Sequence, residues 1–421
     1  MTSWINAEEV ASLLKPGMRV FVAGATAEPR TILHALGQKA DACAGVQFIS
    51  VPVPGVNAGD FTGFGQQASA TVFFATAENR DSIKTGKIDF LPLQYRAIYD
   101  YLSHEANIDT VIVQLPPEHK NGVYSHGISS DFLSAVVPKA KRVIAEINSL
   151  QPSPRDAPEL PSSRLDYAVQ CESPVPTLPV VEITAESAVI GRHVADLVAD
   201  GDCIQIGIGA IPSATLAALG DKNDLGFHSG MIANGVKDLA IAGNITGACK
   251  QLETGKIVTG ATLGDESLIA WAGEAPAICF RPVNYTHDCS VVARLDNFVS
   301  INSALQVDLF GQINADVLQG RQVSGTGGSV DMMRAATSSR GGRSIVAFSA
   351  TAAGGTVSRI VTALAPHTAA TVLRTDIDYV VTEYGVRRVR FLPLRARAEA
   401  LIEIAAPQFR DQLRDEWRSI S

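Results

Sequence analysis

Short runs of apolar residues, rich in Val and Ile, recur along this chain and alternate with stretches of helical character. The clearest are RVFVAG at 19–24, TVIVQLP at 110–116, CIQIGIG at 203–209, SIVAFSA at 344–350 and DYVVTEYG at 378–385. A strand with one wet face alternates apolar and polar residues. A run that is apolar throughout reads as a strand covered on both faces, and its alternation with helices predicts a mainly parallel α/β architecture. With 421 residues the chain exceeds one ordinary core, so two domains are expected. Proline places the boundary: seven of the 21 prolines lie from Pro152 to Pro179, a stretch unsuited to a regular helix or a central strand. The expected domains are therefore 1–180 and 181–421.

The two halves begin alike. GMRVFVAGATAEPRTILHAL (17–36) and GDCIQIGIGAIPSATLAAL (201–219) each read as strand, Gly-Ala turn, proline and helix. Pro29 is followed at +4, +6 and +7 by Leu33, Ala35 and Leu36; Pro212 is followed at the same offsets by Leu216, Ala218 and Leu219. This suggests duplication of one α/β unit, although any strand–turn–helix shares part of the pattern.

Composition narrows the function. A net charge of −8 and a 46% apolar content fit a globular protein and not a nucleic-acid or membrane-surface binder. No run is long and apolar enough to span a bilayer, and the polar, amphipathic N-terminus does not read as a signal peptide. The six cysteines form no CxxC pair and the eight histidines no metal-spaced cluster, so reduced thiols, a cytoplasmic location and no metal are expected.

Glycine-rich turns are the candidate ligand sites. Gly207-Ile208-Gly209-Ala210-Ile211-Pro212 follows a strand and opens a helix. There, free N–H groups favour an anion or a developing oxyanion, although glycine also serves turn geometry alone. Ser324-Gly325-Thr326-Gly327-Gly328-Ser329 lacks the Lys-Ser/Thr of a P-loop and the spacing of a dinucleotide fingerprint; a phosphate or pantetheine cradle remains open. A third such turn is Ala353-Gly354-Gly355-Thr356-Val357-Ser358-Arg359.

The segments GIGAIPSATLAAL (207–219), GFHSGMIANGVKDL (226–239), INSALQVDLFGQINA (301–315), SGTGGSVDMMRAA (324–336), SRGGRSIVAFSATAAGGTVSRIV (339–361) and DYVVTEYGV (378–386) resemble the acetyl-CoA hydrolase / 4-hydroxybutyrate CoA-transferase family (family I CoA-transferases). VAGATAEP (22–29), YSHGISSDF (124–132) and VIAEIN (143–148) extend the resemblance to the first half. It implies the CoA-transferase (NagB/RpiA-like) fold, two related α/β domains with the active site between them, and a homodimer. It also implies an acyl-CoA thioester and a small carboxylic acid as substrates, with no permanently bound cofactor. In the implied reaction a glutamate attacks the thioester and carries CoA as a glutamyl thioester.

Carried over position by position, Gly207, Ile208, Gly209 and Ala210 match the loop that supports CoA and the oxyanion. Leu305, Gly325, Gly327 and Gly328 match CoA contacts, and Ser229 and Gly230 fall in the nucleophile segment. There the family has His-Thr-Glu-Met; this chain has His228-Ser229-Gly230-Met231, and no Glu lies between Glu186 and Glu253. Gly230 therefore stands where the nucleophile should be. Three readings follow. Water attacks instead, with His228 as a general base or as a structural hydrogen-bonder. Or a carboxylate from elsewhere replaces it, Glu28 being the candidate, or the acceptor carboxylate attacks directly. Or the chain is a non-catalytic acyl-CoA-binding or regulatory protein. Restoring the carboxylate, Gly230→Glu, is expected to raise transferase activity if the pocket is otherwise intact. His126 reads as a loop histidine. Arg334, Arg340 and Arg343 are either contacts to the 3′-phosphate of CoA or ordinary surface charges. Residues 395–417 read as one amphipathic helix packed on the second domain.

Overall fold

The computed structural model describes residues 2–39, 41–120 and 122–420. Its frame is two eight-stranded sheets. The first comprises β1 (Ser3–Trp4), β2 (Arg19–Val22), β3 (Gln47–Ser50), β4 (Ser69–Val72), β5 (Ile88–Phe90), β6 (Thr110–Leu115), β7 (Arg142–Asn148) and β8 (Tyr167–Cys171), in the order β1-β8-β7-β6-β2-β3-β4-β5. The second comprises β9 (Cys203–Ile206), β10 (Gly226–His228), β11 (Ile257–Thr259), β12 (Ile278–Phe280), β13 (Phe298–Asn302), β14 (Arg343–Ala347), β15 (Tyr379–Thr382) and β16 (Gly385–Arg388), in the order β12-β11-β10-β9-β13-β14-β15-β16.

The two orders are the same. Each half starts on a central strand, β2 or β9, adds three strands outward on one side, then returns and adds three on the other. All these pairs are parallel. Only the eighth strand differs: β1 pairs parallel with β8, whereas β16 turns back antiparallel on β15. The likeness of the two opening motifs therefore extends to a shared strand order.

The sequence explains the burial. All six residues of β6 (TVIVQL) and all four of β9 (CIQI) are buried, as parallel strands covered on both faces require. One apolar cluster, with Phe21 and Val111, and another, with Val20 and Ile112, line opposite faces of the first sheet. Helix Ala185–Ala195 is capped by Thr184, whose hydroxyl accepts from Ser187 N at 3.1 Å. It lies close against helix Ala210–Ala218: a methyl on Gly191 would come within 2.6 Å of Ala214 C.

Two expectations change. The proline-rich stretch contains a sheet strand, β8, flanked by β7 and β1, because residues 162–173 are free of proline. The irregular connection is shorter, residues 172–184. The C-terminal stretch is two helices, Leu394–Glu403 and Arg410–Ile420, interrupted around Pro407. Both contribute to the second half's core through Leu401, Ile402 and Leu413. Among the described residues no helix is long and apolar enough to cross a membrane.

Candidate functional site

In open parallel sheets, ligands bind beyond the carboxyl ends of the strands, where the chain's order switches sides. In the second sheet that point lies between β9 and β13. The chain leaves β9 through Gly207 and Ile208 into helix Ala210–Ala218. Gly209 has φ of +120°, which L side chains rarely adopt, so glycine is required there. Gly207 is different: a side chain on it would meet nothing within 4 Å. The residues that follow line a groove of about 540 Å³, among them Ile208, Gly209 and Ala210, together with Ala304, Phe348 and Arg359. Leu305, next to Ala304, donates its N–H to Asn314 O at 2.8 Å. Arg359 comes from the third glycine-rich turn and brings a cation to the groove.

The turn 324–328 is placed otherwise. Ser324 O accepts from Ala75 N at 3.2 Å and Gly327 O accepts from Tyr95 N at 3.0 Å. A methyl on Gly325 would lie 2.1 Å from Phe73 O. These glycines let the second half's backbone dock against the first half.

Beside that contact lies position 230. A methyl on Gly230 would sit 2.2 Å from Cε1 and 2.6 Å from Nε2 of His287; one on Gly328 would sit 2.3 Å from the same Nε2. The His287 ring thus occupies the space a side chain at 230 would need, wedged between two glycines. Its Nδ1 is 2.9 Å from Thr286 Oγ1, which also lies 3.4 Å from Pro282 O. Burial holds the ring neutral, with its pKa pushed down to about 3.

Across the ring is Tyr95, centroid to centroid 4.7 Å, from helix Tyr95–His104. The Tyr95 hydroxyl donates to Asp131 Oδ2 at 3.3 Å. Asp131 is buried, and desolvation raises its pKa to about 7, with the Tyr95 hydrogen bond opposing. Its Oδ1 has no hydrogen-bond partner. That oxygen packs on Gly260: it lies 2.2 Å, and Gly230 O 2.8 Å, from the point a methyl on Gly260 would occupy. Backbone bonds fix this approach, from Ser130 N to Gly260 O (2.8 Å) and from Val283 N to Asp131 O (3.0 Å). Ser229, next to Gly230, donates its hydroxyl to Ile206 O at the end of β9, at 3.4 Å. A carboxylate from the first half thus stands beside position 230.

His228 is fully buried one step behind. Its Nε2–H donates to Thr286 O at 3.2 Å, and burial, with nearby Lys250 adding to it, pushes its pKa down to about 3. Glu28 is buried and pairs with Arg30 at 3.1 Å, on the wall of a separate cavity of about 490 Å³ in the first half. Burial raises its pKa, as does Glu146 to a smaller extent. His126 is buried and its pKa is pushed down to about 4. Arg334 pairs with Asp376, Arg340 with Asp296 and Arg343 with Asp202, and none lines the groove.

Models of the acetyl-CoA hydrolase/transferase N-terminal and C-terminal domains match residues 2–179 and 264–417. The 4-hydroxybutyrate coenzyme A transferase of Clostridium kluyveri is 36% identical over 98% of this chain and 97% of its own length. The chain belongs to the acetyl-CoA hydrolase/transferase family. The succinyl-CoA:cyclohexane-1-carboxylate CoA transferase of Geobacter metallireducens is 34% identical over 83% of this chain and 80% of its own. The crystal structure of RipA from Yersinia pestis superposes with a TM-score of 0.93 at 32% identity, covering 99% of this chain and 97% of that one. Membership makes the chain an enzyme of acyl-CoA chemistry, CoA transfer or thioester hydrolysis, with the CoA thioester as substrate.

Sequence reasoning singled out the 207–210 loop, which lies along the groove, and the glycine at 230. It did not single out Tyr95, Asp131 or His287. Asp131 lies in a segment quoted only for its resemblance, and His287 is one of eight scattered histidines. Nothing in their spacing announces that the chain brings them together.

Proposed function

We propose that this protein turns over an acyl-CoA thioester, by CoA transfer to a small carboxylate or by hydrolysis, without a glutamyl-CoA intermediate at position 230. CoA lies along the 207–212 groove, with Arg359 toward its phosphates and the Gly207–Ala210 backbone toward the thioester. The observation that carries the reading is the His287 ring in the space of a side chain at 230. The site has been refilled, so a small rearrangement does not restore the usual nucleophile. Glu28 is committed to Arg30, and His228 positions the backbone of the 283–287 segment. Domains of 1–180 and 181–421, a homodimer and a cytoplasmic location belong to the same reading.

The test is a panel of acyl-CoA esters, with and without acetate, following free thiol, new thioesters and protein mass. Turnover with no CoA adduct on the protein is expected. A CoA adduct on a side chain, or tight CoA binding without turnover of any ester, overturns the reading; the second result makes the chain a binding protein.

A further inference from the structure

The far end of the second sheet concentrates positive charge that the acyl-CoA reading leaves unused. β15 runs parallel to β14, so the residues leading into it lie at the sheet's amino end, opposite the 207–212 groove. There Arg374, Ile377, Arg390, Phe391, Leu394 and Arg397, among others, line a groove of about 350 Å³. Among the described residues no Asp or Glu lines it, in a chain whose net charge is −8. It shares no lining residue with the 207–212 groove.

This charge is uncompensated in the fold. Among the described residues, Arg374 and Arg397 form no ion pair with a carboxylate. Arg397 donates from Nη1 to Phe310 O at 3.1 Å and to Arg374 O at 2.8 Å, and the second bond holds the two arginines together. Burial, and then the charge of Arg374, press the Arg397 pKa below the usual guanidinium value. Arg390 reaches the buried Asp378 at 3.3 Å, a carboxylate that also accepts from Ser344 N. Arg395 and Arg397 also stand near the start of helix Leu394–Glu403, whose first turn has no acidic residue. That end of a helix favours anions and disfavours cations. Next to it, Phe391 holds φ of +66°, which is costly for an aromatic residue, and leaves its side chain 79% exposed.

We propose that this groove is a second ligand site, for a nucleoside phosphate: its phosphates meet Arg374, Arg390 and Arg397, and its base lies against Phe391 and Leu394. Guanidinium groups suit phosphate oxygens, and an anion there offsets both the crowded arginines and the helix end. An exposed ring offers a base a flat apolar surface. The volume falls in the range of small-molecule sites, roughly 300–1,000 Å³. The site stands apart from the acyl-CoA reading and does not depend on it.

The test is calorimetric titration of the whole protein with ATP and, separately, with inorganic pyrophosphate. Both are expected to bind, ATP the more tightly, and both more weakly as salt is added. Arg374→Glu, at an exposed position, is expected to weaken both by at least about tenfold. Phe391→Asn removes the ring but keeps a residue that tolerates the backbone conformation. It is expected to weaken ATP about fivefold and to spare pyrophosphate. Gly207→Val, in the other groove, is expected to leave ATP binding unchanged. No binding of either probe, or unchanged affinities in Arg374→Glu, overturns the site. ATP binding lost in Gly207→Val also overturns it, because the nucleotide then lies in the CoA groove. ATP affinity unmoved by Phe391→Asn overturns the place given to the base. Failure of the protein to release thiol from acyl-CoA bears on the acyl-CoA reading alone.

Discussion

The turns after β2 and β9 occupy the same place in two sheets of the same order, yet they are finished differently. After β2, a side chain on Gly24 would strike Val51 O at 2.3 Å. Asn57 ties the turn down from both sides, Oδ1 accepting from Ala25 N at 2.7 Å and Nδ2 donating to Ala25 O at 3.1 Å. After β9, Gly207 faces open space and the following residues line a groove. One turn is closed down until only a water-sized cavity is left; the other is kept open for a large ligand. The carboxylates divide in the same way, with glycine at 230 and Asp131 supplied from the first half. One strand order thus carries two differently finished turns.

The contrast breaks most sharply at Gly24. Gly24→Val forces a side chain into a backbone carbonyl, which cannot swing away, and should cost about 3 kcal/mol in urea unfolding. Unchanged stability would mean the turn is not closed. Gly230→Glu comes next. The sequence-level expectation was a gain of transferase activity, but the space is filled, so this variant alone should lose about 2 kcal/mol and gain no transferase activity. Adding His287→Ala should recover much of that stability, and a CoA adduct is expected only in the double variant. If Gly230→Glu alone forms the adduct, His287 does not block the site. Gly207→Val should unfold like the wild type yet bind CoA at least tenfold more weakly, about 1.4 kcal/mol. Unchanged affinity would place CoA elsewhere.

The fold was legible because it is written in local patterns. Strand runs such as TVIVQL and CIQI, and the paired prolines 29 and 212, each carry their meaning within a few residues. The groove was half legible: Gly207 to Ala210 stand in one turn, whereas Arg359 joins them from about 150 residues further on, and the three arginines weighed for a phosphate are tied to Asp376, Asp296 and Asp202. The glycines of 324–328 looked like a ligand cradle because glycine marks any close approach, here that of the first half's backbone. The Tyr95–Asp131–His287 cluster was not legible at all, since it exists only where the halves meet.

A further effect is one of pH. Folded His287 is held neutral, while an unfolded histidine takes a proton near pH 6.5. Below that pH the unfolded chain binds more protons, so His287 makes stability fall on acidification, by up to about 1.4 kcal/mol per pH unit, until its folded pKa near 3 is reached. His287→Gln should flatten the stability profile between pH 6.5 and 4.5 relative to the wild type. Parallel profiles would mean the ring is solvated.

The most direct measurement is a single turnover of acyl-CoA, with enzyme in excess, in water enriched in oxygen-18. If no side chain of the protein attacks the thioester and water is the nucleophile, the label appears in the released acid at once, and no peptide of the protein carries it. Unlabelled acid, or oxygen-18 in the carboxyl group of any side chain, would mean that a carboxylate of the protein attacks the thioester, and would contradict the proposed function.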